Sequence, residues 1–377
     1  MEIVGVVAEY NPFHAGHRRH IDQTRRALGR CAVVAAMSGN FVQRGDCAVT
    51  DKWSRAAAAL AGGVDLVLEL PTVWACASAE AFAQGAVDIL KAAGVRAISF
   101  GSESGDADAL GQAAQALDSP DYRRALRRFL DQGLPFARCR HLAAQVLLGE
   151  EGAACLARPN DNLGVEYLRA ARRLGFAPRV VAVPRLGAGH DGGDDPDYPS
   201  ASHLRERIHR GELSMDNPAG LGYNERGVLT RLRALGPEDF AALPDCGEGL
   251  AHRLYRAARQ AVGLEELYRL AKTKRYAHAR IRRAVLWACL GLRASDRPDG
   301  PPYLRVLGAN RTGLAVLRQL GGGTPVITKP AHGKGVPLFE LEARCTDFYN
   351  LCRRRPLPCG TEWTTSPVIQ REEGGWA

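Results

Sequence analysis

Two histidines three positions apart, His14 and His17, stand with Gly16 where an apolar run gives way to a helix-like stretch. Imidazoles at such a point can donate hydrogen bonds to phosphate oxygens as negative charge builds on them. A helix N-terminus adds unpaired N–H groups and a partial positive charge, so the position attracts anions. Gly16 lets the backbone come close to a nucleotide. The chemistry these residues fit is binding of a triphosphate and departure of pyrophosphate. An ordinary strand–helix turn with two surface histidines uses the same residue types, so the pair alone does not decide. The preceding strand and the flanking Pro12 and Phe13 favour the phosphate site.

The elements that must position this pair are legible as alternating patterns. Residues 3–8, 31–37, 64–70 and 95–100 read as buried strands, and 18–28, 52–61 and 79–92 as helices between them. Such alternation implies a parallel sheet covered on both faces, with ligands at the carboxyl ends of its strands. His14, Asn40, Pro71 and Gly101 all fall just after a predicted strand, at that one edge. Residues 107–148 read as a helical insertion. A helix over 162–174 follows, with Asn160 and Asp161 as its caps, and then a strand over 179–183. The Asp- and Gly-rich loop 186–199 leads to a helix capped by Ser200 or Ser202.

From about residue 221 the pattern is helical and basic. Eight Lys or Arg face two acids between Glu265 and Ser295. Read as one helix, 272–283 puts Lys272, Arg275, Arg282 and Arg283 on one stripe, and Tyr276 offers a face for an unpaired base. A solvated basic helix is the plain alternative. After a Pro/Gly-rich break at 297–302, strands at 303–307 and 325–328 around a helix at 311–320 suggest a small C-terminal α/β piece.

A chain of 377 residues exceeds one typical core, and 46 % hydrophobic residues suit a globular protein. The net charge of +9 points to a polyanionic partner or to steering of an anionic nucleotide. Ten cysteines without a CxxC pair suggest neither zinc nor a disulfide framework, and a reducing compartment, the cytoplasm, is expected. No signal pattern or long apolar run points to a membrane. Six lysines stand against 44 arginines, so each surviving lysine marks a place where a compact ammonium suits better than a planar fork.

The run Asn11-Pro12-Phe13-His14-Ala15-Gly16-His17 resembles the HxGH signature of the nucleotidylyltransferase superfamily. Further matches, in order, resemble its tRNA(Met) cytidine acetate ligase branch. They are Ser38 to Gly45, Asp51-Lys52-Trp53 with Arg55, Gly63 to Pro71, Phe100 to Glu103, Pro159-Asn160-Asp161 with 163–167, 184–189, and Lys272 to Tyr276. They span nearly the whole chain.

The resemblance implies a Rossmann-like α/β nucleotidylyltransferase domain over 1–215, a mainly helical basic tRNA-binding region over 216–300 and a small C-terminal α/β region over 301–377. It implies ATP contacts at Val7, Ala8, Glu9, Tyr10, Asn11, Pro12, Phe13, His14, Ala15, Gly16, His17, Arg18, Arg19 and His20, and at Gly101, Asn160, Arg185 and Leu186. His14 and His17 are the expected catalytic pair. Ser202 and Arg205 resemble the superfamily's second nucleotide motif.

Asn40, Arg44, Lys52 and Arg55 are the candidates for a small carboxylate, and Lys272, Lys274, Arg275, Tyr276 and Arg282 those for tRNA. The implied reaction makes acetyl-adenylate from acetate and ATP, then acetylates N4 of the wobble cytidine of elongator tRNA(Met). Mg²⁺ is expected with the triphosphate, without a carboxylate cluster to mark its site. A small-molecule adenylyltransferase of the pantetheine-phosphate or nicotinamide-mononucleotide type would share HxGH, though such enzymes are shorter and lack the basic extension. A non-catalytic RNA-binding scaffold would have no use for the two imidazoles. Asn162, where an apolar residue is expected, and His190-Asp191, where an aromatic is, depart from the branch's pattern.

Overall fold

The computed structural model describes residues 1–185 and 200–371. Strand β1 (Glu2–Ala8) runs into helix α1 (Ala15–Leu28), followed by β2 (Cys31–Ser38). A hairpin of β3 (Phe41–Val42) and β4 (Asp46–Cys47) precedes α2 (Lys52–Ala61) and β5 (Leu66–Leu70). Then come α3 (Thr72–Ala75), α4 (Ala79–Ala92) and β6 (Ala97–Ser102). Helices α5 (Ala107–Leu117), α6 (Pro120–Leu130), α7 (Phe136–Ala153) and α8 (Pro159–Arg173) lead to β7 (Arg179–Pro184). Helix α9 (Ala201–Arg210) has Ser200, not Ser202, as its N-cap.

Strands β5, β2, β1, β6 and β7 lie side by side in that order, all parallel. Chain order therefore reverses at β1, and the ligand crevice opens at the carboxyl ends of β1 and its neighbours. Every residue of β2 is buried, as a strand covered on both faces requires. Its alternation sorts the two faces: Val33, Ala35 and Met37 pack with Ile21, Trp53 and Ala56, while Ala32, Val34 and Ala36 pack with Phe82, Ala86 and Leu90. Helix α8 starts at Pro159, a residue suited to the first helical position. Asn160 and Asp161 therefore sit inside its first turn and are not the expected caps.

The helical part comprises α10 (Glu225–Arg233), α11 (Pro237–Ala241), α12 (Leu250–Gln260), α13 (Leu264–Ala271) and α14 (His278–Leu290). Its apolar residues Leu232, Leu254, Leu267 and Val285 join the same core as Leu66 and Ile98 of the sheet. Trp287 donates its indole N–H to the Cys76 carbonyl at 2.7 Å, fixing α14 over the loop after α3.

The chain ends with β8 (Leu304–Ala309), α15 (Arg311–Gln319), β9 (Val326–Ile327), α16 (Pro337–Leu351), α17 (Thr361–Thr364) and β10 (Val368–Ile369). The sequence suggested a small C-terminal α/β piece here. Its β8 pairs antiparallel with β5, and β9 and β10 pair parallel with β8, so these strands extend the one large sheet. An uncovered β5 would leave a row of unpaired backbone groups at the sheet edge. A short apolar run does not reveal which edge it will cover.

The β3–β4 hairpin meets α14 backbone to backbone. A Cβ on Gly45, whose φ is +76°, would lie 2.3 Å from the Arg283 nitrogen. Gly94 has a similar φ of +73° but open space around it. Gly94→Ala is expected to cost about 1–2 kcal/mol of stability through backbone strain alone. Gly45→Ala should cost at least about 1 kcal/mol more, from overpacking. Urea midpoints of the two variants compare them directly.

Candidate active site

His14 occupies the N-cap of α1, and the two histidines form a reciprocal cap. The Gly16 N–H donates to His14 Nδ1 at 3.1 Å, and the His14 N–H donates to His17 Nδ1 at 3.2 Å. With both Nδ1 atoms accepting, each neutral ring must carry its proton on Nε2, the atom left to donate to a ligand. The rings lie 3.8 Å apart at 31°, with Tyr10 edge-on to His17 at 4.9 Å. A side chain at Gly16 would meet the His14 ring at 2.9 Å, so glycine is what permits the fold-back.

Burial, with the charges of Arg185 and Arg205, pushes His14 down to about 4. Burial and the neighbouring imidazoles hold His17 well below its ordinary value. His20, one turn further, is lowered to about 4 mainly by burial and is hydrogen-bonded to the Ser99 hydroxyl at 2.9 Å. These lowered values leave the cluster neutral at neutral pH.

Around the pair stand residues from four other elements. Arg205 of α9 donates to the Asn11 carbonyl at 2.7 Å and to Ser202 at 2.9 Å, which fastens α9 onto the loop after β1. Asn11 in turn accepts from the Val49 N–H at 2.7 Å. At the ends of β6 and β7, Glu103 accepts from Asn160 Nδ2 at 2.6 Å and from the Asp161 N–H at 2.8 Å. The Asn160 side-chain Oδ1 accepts from Arg185 at 3.4 Å, and Gly101 lies beneath the Arg185 stem. Glu103 thus supplies the cap that α8 lacks, a role the sequence did not reveal although the residue ends the matched run Phe100 to Glu103. Arg18 and Arg19 reach aside, to the carbonyls of Ala61 and Pro184. Leu186, His190 and Asp191 lie outside the described residues.

The carboxylate candidates divide. Arg44 is exposed on the hairpin turn, and its charge acts on Arg205. Asn40, Lys52 and Arg55 are corrected to internal roles, because all three are buried. Asn40 accepts from the Lys52 N–H at 3.0 Å and donates to Thr346 at 3.1 Å. The Lys52 ammonium sits between Glu69 at 2.7 Å and Glu362 at 2.6 Å. Arg55 donates to the carbonyls of Glu9 at 2.6 Å and Ser38 at 3.0 Å, and also to those of Gly39 and Thr50. It thereby satisfies the frayed carbonyl ends of β1 and β2 beneath the crevice.

The basic run is not one helix. Helix α13 ends at Ala271 and α14 begins at His278, with a turn between them. Lys272 closes that turn, donating to the carbonyls of Thr273 at 2.8 Å and Tyr276 at 2.7 Å. Tyr276 is largely buried, and its hydroxyl donates to the Glu248 carbonyl at 2.5 Å. Arg282 pairs with Asp46 at 3.1 Å and Glu265 at 3.2 Å. Lys274 and Arg275 stay exposed.

Among the described residues no group of three or more His, Cys, Asp or Glu side chains could hold a metal ion. No helix among the described residues is long and apolar enough to cross a membrane.

A family model described as HIGH Nucleotidyl Transferase matches residues 1–221 and 223–359. The tRNA(Met) cytidine acetate ligase of Caldanaerobacter subterraneus subsp. tengcongensis is 37 % identical over 383 residues, covering 93 % of this chain and 95 % of the relative. The protein of that name from Syntrophotalea carbinolica is 39 % identical over 342 residues, 84 % of this chain and 82 % of its own. The crystal structure of Thermotoga maritima TmcAL bound with alpha-thio ATP superposes with a TM-score of 0.90 at 30 % identity, covering 98 % of this chain and 100 % of that one. Sheet order and the histidine cap together define a nucleotidyl transferase of the HIGH class. Within that class, the chain belongs to the tRNA(Met) cytidine acetate ligase family.

Two outcomes follow from the geometry. Lys52→Met strands two buried carboxylates and is expected to destabilise the fold by about 3–5 kcal/mol, measured by urea unfolding. The lowered histidines set an acid limb. Below about 6.5 the unfolded chain binds protons that folded His14 and His20, at about 4, refuse. Stability therefore falls as pH drops from about 6.5 towards 4. His20→Asn should shrink the stability difference between pH 7 and pH 5 by on the order of 1–2 kcal/mol.

Proposed function

We propose that this chain activates acetate with ATP and transfers the acetyl group to a cytidine amine of methionine tRNA. The observation that carries this reading is the pair of imidazoles whose Nδ1 atoms cap the start of α1 and leave Nε2–H to donate, with the charges of Arg185 and Arg205 acting on them. A carboxylate oxygen attacks the α-phosphorus of ATP, the bond to the β-phosphate bridge breaks, and pyrophosphate leaves. His14, His17 and the α1 N-terminus stabilise the charge that builds on the departing phosphates. The mixed anhydride then has AMP as its leaving group. The cytidine N4 attacks the acyl carbon, the acyl C–O bond breaks, and N4 sheds a proton.

The four-carbonyl grip of Arg55 keeps the strand ends fixed while this happens. Arg44, on the hairpin turn near Arg205, is the remaining carboxylate contact from the sequence reading. Residues 1–215 would carry the nucleotide chemistry, 216–300 would hold the RNA and 301–377 would complete the sheet. Lys274 and Arg275 serve as direct RNA contacts, while Lys272 shapes the turn that presents them.

The test is mass spectrometry of methionine tRNA incubated with protein, ATP and labelled acetate, alongside acetate-dependent ATP–pyrophosphate exchange without RNA. Wild-type protein is expected to label one cytidine. His14→Ala is expected to lower exchange by about 100-fold or more. Exchange driven instead by a phosphorylated small molecule, with no RNA labelled, would overturn the reading.

A further inference from the structure

We infer a second RNA-binding feature: a basic pocket between α12 and the 272–277 turn that grips the sugar-phosphate backbone away from the reacting cytidine. This inference deepens the proposed function and rests on it. The pocket has a volume of about 630 Å³ and is lined by His252, Arg253, Arg256 and Gln260 from α12 and by Lys274 and Arg275 from the turn. Among the described residues no carboxylate lines it.

Helix α12 builds one wall by its periodicity. Leu250, Leu254, Ala257 and Ala258 face the core, which turns His252, Arg256 and Gln260 outward along a single stripe. The other wall is held from inside. Lys272 ties the turn to itself, Tyr276 anchors it to Glu248, and Arg253 Nε donates to the Ala271 carbonyl at 2.9 Å. Arg253 keeps its remaining N–H groups for a ligand.

Some exposed arginines meet acids, as in Arg210 with Glu206 and Arg355 with Asp216. Arg256, Lys274 and Arg275 have no carboxylate partner among the described residues. Cations converging on a cavity without counter-charge fit an external polyanion, and phosphodiester contacts position an RNA without reading its sequence.

The pocket is also mechanically joined to the crevice. The turn feeds α14, whose Arg282 and Arg283 hold the hairpin at Asp46 and at the Gln43 carbonyl. The Gln43 N–H donates to Glu9 at 2.8 Å, directly after β1.

The test uses the full chain and a methionine tRNA transcript, with binding measured between 50 and 200 mM NaCl. Arg256→Gln with Lys274→Gln removes two exposed charges. It is expected to shrink the loss of affinity over that salt range by about 5–10-fold. Arg26→Gln with Arg318→Gln removes the same net charge from α1 and α15 and should leave the salt slope intact. An equal effect from both pairs would reduce the result to bulk charge and overturn the pocket. Wild-type RNA labelling with no change in the first pair would also overturn it and leave the proposed function standing. Wild-type protein that neither binds nor labels RNA would sink the function, and the pocket with it.

Discussion

The crevice at the end of β1 depends on two imidazoles whose Nδ1 atoms both serve the backbone of α1. Each ring uses Nδ1 to cap the backbone of α1, so the helix start fixes both tautomer and direction. A protonated Nδ1 could not accept those N–H groups, and the cap would open. The cationic neighbours Arg185 and Arg205 add to burial in resisting protonation. In the proposed reaction the same cations would attract the triphosphate. Substrate attraction and histidine neutrality thus come from one arrangement.

Beneath this pair lies a polar layer that is more costly than an apolar core would be. Lys52, Glu69 and Glu362 form a buried cluster, with Asn40 and Thr346 bonded at its side. Replacement by apolar residues is often neutral or stabilising for buried ion pairs, so stability alone does not explain the cluster. What it does is join the loop after β2 to α16 and α17. Only the register that pairs every charge closes the crevice floor.

Periodicity and turn chemistry exposed most of the parallel sheet in advance. Strands β1, β2, β5, β6 and β7 and helices α2 and α4 lie at or close to the ranges read from apolar runs, because covered parallel strands are continuously apolar. The histidine pair was legible for a local reason: cap, glycine and both rings fall within four residues. Lys52, Arg55 and Asn40 were misassigned because their partners are distant in sequence and a polar residue after a strand looks alike whether it faces ligand or core. Lys272 and Tyr276 were misread because helical periodicity was carried through a turn that contains neither glycine nor proline. The α12 wall escaped notice since its cations are spaced among apolar residues, without forming a run.

The tether between Asn40 and Thr346 joins positions 306 residues apart. During synthesis the N-terminal strands leave the ribosome first, and domains fold in that order. Here the first strands would emerge with Lys52 lacking one of its two acidic partners and β5 lacking its antiparallel neighbour β8. The nascent chain must therefore wait for α16 and α17 before the loop after β2 can settle.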